Sequence, residues 1–265
     1  MILIPKFLAD FGLNLNKKYY HRLFISKYVK NVNSPSWFDH RIDLYYNWPN
    51  NLFWLERGIL PRKYMFQGCK ILDLFCGDGY YSRYFHSTIA GTIDAIDKDR
   101  RAIAHAKKHH SHPLINFAQI DVIKENLPGT NYDLILWYEA IEHLSENDYS
   151  NVIYKIKSSL SEDGILFGST PIIKEENLGK NNWEHKNEFT SVNQLNHFLS
   201  KDFHEISIYT TEYPEGGVKS EKLRTSPVGF QYAREYTPKN HLRHHRPERR
   251  TLHPLLPPGP LPLRL

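Results

Sequence analysis

The stretch Ile71-Leu72-Asp73-Leu74-Phe75-Cys76-Gly77-Asp78-Gly79-Tyr80-Tyr81 decides how the rest of the chain is read. Its first half is a short apolar run, which reads as a buried parallel strand. Its second half is a glycine turn that opens into a helix. Strand, glycine turn and helix together bring a ligand against backbone N–H groups at the helix start. Asp73 ends the strand, and Asp78 stands inside the turn between Gly77 and Gly79. A diphosphate would meet two carboxylates there with no lysine to offset them. The dinucleotide spacing G-x-G-x-x-G is absent, because Ser82 occupies the third glycine position, and no phosphate-binding G-x-x-x-x-G-K-[ST] loop is present. The turn therefore suits a nucleoside-bearing cation without phosphate, the charge pattern of S-adenosylmethionine.

Working outward, strands and helices alternate. Thr92 to Asp97, Ile115 to Asp121, Tyr132 to Trp137, Gly164 to Ser169 and Ile206 to Tyr209 read as further strands, with a seventh at Val228 to Tyr232. Asp99 can cap a helix with Ala102, Ile103 and Ala106 on one face. Ser145 can cap a second, and Thr190 or Ser191 a third. This alternation predicts an α/β fold with a doubly wound, mostly parallel sheet, Rossmann-like, covered on both faces. Ligands bind such sheets at the carboxyl ends of the strands, so the strand-end acids are expected to converge.

"ILDLFCGDGYYSRYF" (residues 71–85) resembles the first motif of class I S-adenosylmethionine-dependent methyltransferases, and the likeness extends from about Leu60 to Tyr213. The family often carries glycine at the position of Phe75. The resemblance implies a seven-stranded sheet with the last strand antiparallel at an edge, and S-adenosyl-L-methionine as cofactor. It assigns cofactor contacts to Asp73, Phe75, Gly77, Asp78, Gly79, Asp97, Lys98, Asp121, Val122 and Trp137. Asp97 is the acid expected on the ribose hydroxyls, and Lys98 lies along the adenine. Asp121 and the backbone of Val122 are expected at the adenine edge.

Glu139-Ala140-Ile141-Glu142-His143 follows the fourth strand. Glu139, Glu142 and His143 are the candidate catalytic residues. Methyl transfer rests mainly on positioning, and a hydroxyl or amine acceptor must also lose a proton. His143 can take it, since imidazole titrates near neutrality. The same run also reads as a structural brace of its loop. Together with His185, these residues resemble the metal cluster of small-RNA terminal 2′-O-methyltransferases, and a metal-dependent RNA enzyme is the alternative. A non-catalytic cofactor-binding partner protein is a third possibility. The first reading assigns no metal.

The net charge of +5 does not favour the RNA reading. Residues 234–265 hold seven Lys/Arg and two acids, which leaves 27 basic and 27 acidic residues elsewhere. The globular part is formally neutral, which argues against nucleic acid as a partner. A small molecule or glycan is the expected acceptor, methylated at oxygen. The acceptor's identity and the oligomeric state are not legible. Two cysteines without metal spacing, and no run long enough for a membrane span, suggest a cytoplasmic protein. Residues 1–60 are rich in aromatics and read as a helical cover. Trp48 to Asn51 reads as a turn, and Leu52 to Gly58 as a helix ending at its glycine. Residues 61–236 are expected, from the resemblance, to form the S-adenosylmethionine-binding methyltransferase domain. Residues 237–265, rich in Pro, His and Arg, lack core-forming periodicity and read as a disordered tail.

Overall fold

A computed structural model describes residues 6–24, 26–27, 37, 39–42, 54–173, 175, 178 and 185–210, and the backbone of 226–233. The expected tail at 237–265 and the turn at 48–51 lie outside the described residues.

Five strands form the parallel part of the sheet: β1 (Lys70–Leu74), β2 (Thr92–Asp97), β3 (Ile115–Gln119), β4 (Tyr132–Tyr138) and β5 (Leu160–Ile172). Two more follow, β6 (Ile206–Thr210) and β7 (Ser226–Ala233). The order is β3-β2-β1-β4-β5-β7-β6. β1 pairs in parallel with β2 on one side and β4 on the other, so the chain reverses its direction of travel across the sheet at β1. That is the switch point, and the expected ligand crevice lies above it. β7 runs antiparallel to both β5 and β6, so β6 takes the edge that the resemblance assigned to the last strand. β5 runs longer than its apolar pattern suggested. A bulge lies in its register with β4, between the Tyr132–Leu160 and Leu134–Ile165 pairs.

The helices are α1 (Lys6–Phe24), α2 (Tyr80–Tyr84), α3 (Arg100–His109), α4 (Glu146–Ser159) and α5 (Val192–Leu199). The starts of α3, α4 and α5 follow the predicted capping chemistry. Asp99 accepts from Arg101 N at 2.8 Å, Ser145 from Asp148 N at 3.2 Å and Ser191 from Gln194 N at 3.2 Å. The strand period of two then separates the core into two layers. Leu72, Leu74, Ile135 and Trp137 face Tyr149, Val152, Ile156, Leu195 and Leu199 of α4 and α5. Ile71, Ile93, Leu134 and Leu136 face the other way, with Ile103 and Ala106 of α3. The segment expected as one helix ending at Gly58 is instead a π-helical turn, Trp54–Ile59, followed by a 3-10 turn, Leu60–Tyr64. Pro61 suits the start of the second turn, where its missing N–H has no intrahelical partner to lose. Among the described residues, no helix is long and apolar enough to cross a membrane.

Gly79 locks the organising turn to the sheet. Its backbone is left-handed at φ 69°, and an added Cβ would lie 2.3 Å from the Phe117 ring of β3. Gly79→Ala is expected to destabilise the fold by about 2–5 kcal/mol, combining left-handed strain with overpacking. Urea unfolding measures this, and a loss below 1 kcal/mol, within the usual range of surface substitutions, would mean that the turn relaxes freely.

Candidate active site

The turn after β1 is held by backbone groups that reach across to β2. Cys76 N donates to Ile96 O at 2.9 Å, and Gly77 N donates to Asp97 Oδ2 at 3.0 Å. The other oxygen of Asp97 accepts from Asp99 N at 2.8 Å. Asp97 thus fastens the turn and the start of α3 together, and burial raises its proton affinity. Phe75 takes a left-handed φ of 61°, the conformation glycine would adopt freely at that position. The turn therefore keeps a glycine-like bend and carries local strain.

Asp73 is buried and accepts a short hydrogen bond from Ser82 Oγ at the opening of α2. Burial pushes its pKa up to about 6 despite Ser82. Asp78 differs. Its Oδ1 meets His40 Nδ1 at 2.8 Å and Tyr80 N at 3.1 Å, and its Oδ2 accepts from His40 N at 2.9 Å. Burial acts to raise its pKa, but the His40 contacts outweigh burial and hold the carboxyl below the usual range. Asp78 therefore ties the turn to the 39–42 segment, while the charge of Asp97 adds to the upward shift of Asp73.

The remaining predicted cofactor residues are spread along the strand ends. Asp121 follows β3, with its Oδ1 accepting from Ile123 N at 3.2 Å and its Oδ2 3.2 Å from Lys124 Nζ. Val122 is buried, and its carbonyl accepts from Lys155 Nζ at 2.7 Å. Lys98 is exposed. Trp137 has no exposed surface and packs between the rings of Phe75 and Tyr149, with centroids 6.4 and 6.3 Å away.

The acidic run sits at the end of β4. Glu139, also left-handed at φ 46°, donates its N–H to Ser169 O at 2.8 Å and accepts from Ser169 Oγ at 3.0 Å. Glu142 lies in a 3-10 turn, Ile141–His143, and accepts from Thr170 Oγ1 at 3.0 Å. Its backbone carbonyl accepts from Lys186 N at 2.7 Å and Asn187 N at 3.0 Å. These bonds bring His185 to the site. The His143 and His185 rings meet edge to face at 5.0 Å, and His143 Nε2 lies 4.0 Å from Glu142 Oε1. His185 Nδ1 lies 3.2 Å from Glu188 Oε1. Burial raises the proton affinity of Glu139, and raises that of Glu142 strongly with Glu139 adding to it.

Several residues here gave no local sequence signal. Arg57, from the π-helical turn, is the cation that most favours the charged form of Glu139. Its guanidinium lies 5.8 Å over the Tyr138 ring and its Nη1 is 3.3 Å from His40 Nε2. Ser169 and Thr170 sit on the strand beside the acids, and only the β4–β5 register reveals that they will face them. Trp183 and Glu184, which precede His185, lie outside the described residues.

Comparison with known proteins is consistent with this geometry. Residues 71–164 match a family model described as a methyltransferase domain. A probable S-adenosylmethionine-dependent methyltransferase of Mycobacterium tuberculosis is 25% identical over 122 residues, 45% of this chain and 43% of that protein. The ubiquinone biosynthesis O-methyltransferase of Glaesserella parasuis is 33% identical over 110 residues, 39% of this chain and 45% of that protein. The chain thus spans less than half the length of these curated relatives. Among solved structures, the N-methyltransferase NodS from Bradyrhizobium japonicum aligns with a TM-score of 0.54 at 16% identity, over 70% of this chain and 98% of NodS. The DhpI–SAH complex aligns with a TM-score of 0.52 at 17% identity, over 84% and 98% of the two chains. At these identities the structural likeness is one of fold.

Proposed function

We infer that the chain is a class I S-adenosylmethionine-dependent methyltransferase, and from that premise we propose that it methylates a hydroxyl of a small molecule or glycan in the cytoplasm. The observation that carries the reading is the pair of carboxylates at the ends of β1 and β2, buried Asp73 and half-buried Asp97, around the Gly77–Gly79 turn. Asp73 has the proton affinity of a carboxylate that lacks a full countercharge, and an α-ammonium would supply it. The residues thus fit S-adenosylmethionine. Asp73 would hold the ammonium, the turn backbone the amino-acid portion, Asp97 the ribose hydroxyls, and Asp121 with Val122 the adenine. When bound, this cofactor supplies an electrophilic methyl carbon on a positively charged sulfur.

The chain's own part is to hold the acceptor in line and manage its proton. His143 takes the hydroxyl proton as the oxygen attacks. Glu139 and Glu142, braced by Ser169 and Thr170, fix the loop that carries the imidazole. Oxygen as the acceptor atom is our reading, supported by the O-methyltransferases among the chain's relatives.

A second reading is favoured by one observation. Glu142, His143 and His185 each offer a donor atom within 4.8 Å of the others. Glu188 on His185 Nδ1 leaves Nε2 as the donor, the usual arrangement of a metal-bound histidine. Such a site would suit Mn²⁺ and a ribose 2′-hydroxyl of RNA.

Cofactor binding tests the common premise. S-adenosylmethionine or its demethylated product at about 100 times its Kd should stabilise the fold by roughly 2.7 kcal/mol, a melting shift of several degrees. Calorimetry showing NAD binding, with neither of these ligands bound, would sink the reading.

A further inference from the structure

A second cluster of donor atoms includes Asp78 of the glycine turn. Asp78, His105 and His110 each offer one ligand atom within 4.8 Å of the other two. We propose that these three residues bind a zinc-class divalent cation, which fastens the Gly77–Gly79 turn to α3 and the 39–42 segment. This inference does not rest on the methyl-transfer reading, and the site shares no residue with the Glu142 cluster.

The hydrogen bonds fix the state of both rings. His110 Nδ1 lies 2.6 Å from the carbonyl oxygen of Asp78, which can only accept, so Nδ1 carries the hydrogen. In the neutral ring, Nε2 then holds the lone pair. His110 is 1% exposed, and its Nε2 is buried without a hydrogen-bond partner. A buried lone pair opposite a carbonyl-held N–H is the arrangement found in metal-bound histidines. His105 Nε2 lies 3.3 Å from Arg41 Nη2. Guanidinium can only donate, so His105 Nε2 also carries a lone pair.

The donors come from separate parts of the chain. Asp78 sits in the turn after β1, His105 on α3, and His110 at its C-terminal cap. The Asp78 carboxylate is already oriented by His40 and Tyr80 N. His109, one turn beyond His105, lies at the exposed mouth with its ring 4.5 Å from that of His105. Asp39 Oδ2 lies 3.9 Å from His105 Nε2 and could complete the set. Two imidazoles and one or two carboxylates suit Zn²⁺. Arg41 is the neighbouring cation. It is paired with Asp39 through contacts of 3.0 and 2.9 Å, and its side chain is 39% exposed, so it can turn away from His105 as a cation enters.

The test uses the full chain, stripped with chelator, dialysed and titrated with ZnCl₂ by calorimetry. The wild type should bind zinc tightly enough to saturate one site at micromolar concentrations. The double variant His105→Gln/His110→Gln should weaken that binding by about 100-fold or more, since these are direct ligands rather than outer partners. His185→Ala should retain it, which separates this site from the other cluster. Wild-type zinc affinity in the double variant would overturn the proposal. Where that variant fails to fold, carbethoxylation of the wild type decides. Zinc should protect His105 from the reagent in peptide mass spectra, and unchanged His105 labelling at saturating zinc would overturn it.

Discussion

Replacing His143 with alanine is expected to lower turnover by roughly 10²–10⁴-fold, the range for losing a positioned general base. Affinity for S-adenosylmethionine should be unchanged, because His143 follows β4 while the proposed cofactor carboxylates Asp73, Asp97 and Asp121 lie at the carboxyl ends of β1, β2 and β3. Steady-state rates with a methyl acceptor, set beside cofactor calorimetry, give both quantities. His143→Gln keeps the shape and some hydrogen bonding but cannot accept a proton at neutral pH, so it should be nearly as slow. A glutamine variant with full activity would show that the residue only positions. The same experiment separates the two readings. If a metal is used, His185→Ala should be as damaging as His143→Ala, chelators should abolish activity and Mn²⁺ should restore it. Activity indifferent to chelators would leave the acids and His143 in proton-transfer and positioning roles.

Asp73→Asn should act in opposite directions on stability and on binding. The Asp73 pKa is raised from 3.8 to about 6 in the folded state, mainly by burial. The folded form therefore binds the proton more tightly than the unfolded chain. This contribution to stability is fully present below about pH 4 and is lost as pH rises through 6. At pH 8 the ionised group then costs on the order of 3 kcal/mol in the cofactor-free protein. The amide carries no charge and can still meet Ser82, so the variant should be more stable than wild type at pH 8 and gain nothing near pH 4. Cofactor affinity should fall by roughly 10–150-fold, the loss of one charge-assisted contact. Denaturant titrations at the two pH values and calorimetry measure the pair of effects. A variant that is less stable at pH 8, or that binds the cofactor as well as wild type does, would contradict this account of Asp73.

How far the chain could be read from its letters follows from the range of the interactions involved. Strand and helix positions rest on local patterns: the apolar run at 71–74, the caps at Asp99, Ser145 and Ser191, and the helical spacing of Val152 and Ile156. These survive folding because burial and capping act within a few residues. The site depends on contacts between distant segments. Asp78 stands between two glycines, and nothing nearby in sequence tells that His40, 38 residues earlier, will hold its carboxylate. The meeting of His143 with His185 depends on two backbone bonds from Lys186 and Asn187 to the Glu142 carbonyl. Arg57 reaches the acids from a π-helical turn, which has no sequence signature of its own. The bulge that lengthens β5 is a matter of pairing, not of composition.

The left-handed backbone at Glu139 has a consequence for anyone evolving this protein in the laboratory. A non-glycine residue in that conformation gives up on the order of 1 kcal/mol relative to glycine. A screen that rewards heat resistance alone should therefore recover Glu139→Gly, which relaxes the backbone and removes a carboxylate that burial disfavours. A screen that rewards product formation should discard the same clone, because the carboxylate beside Glu142 goes with it. Libraries sorted under the two pressures should diverge first at this codon, and sequencing them would locate the boundary between what the fold prefers and what the chemistry requires.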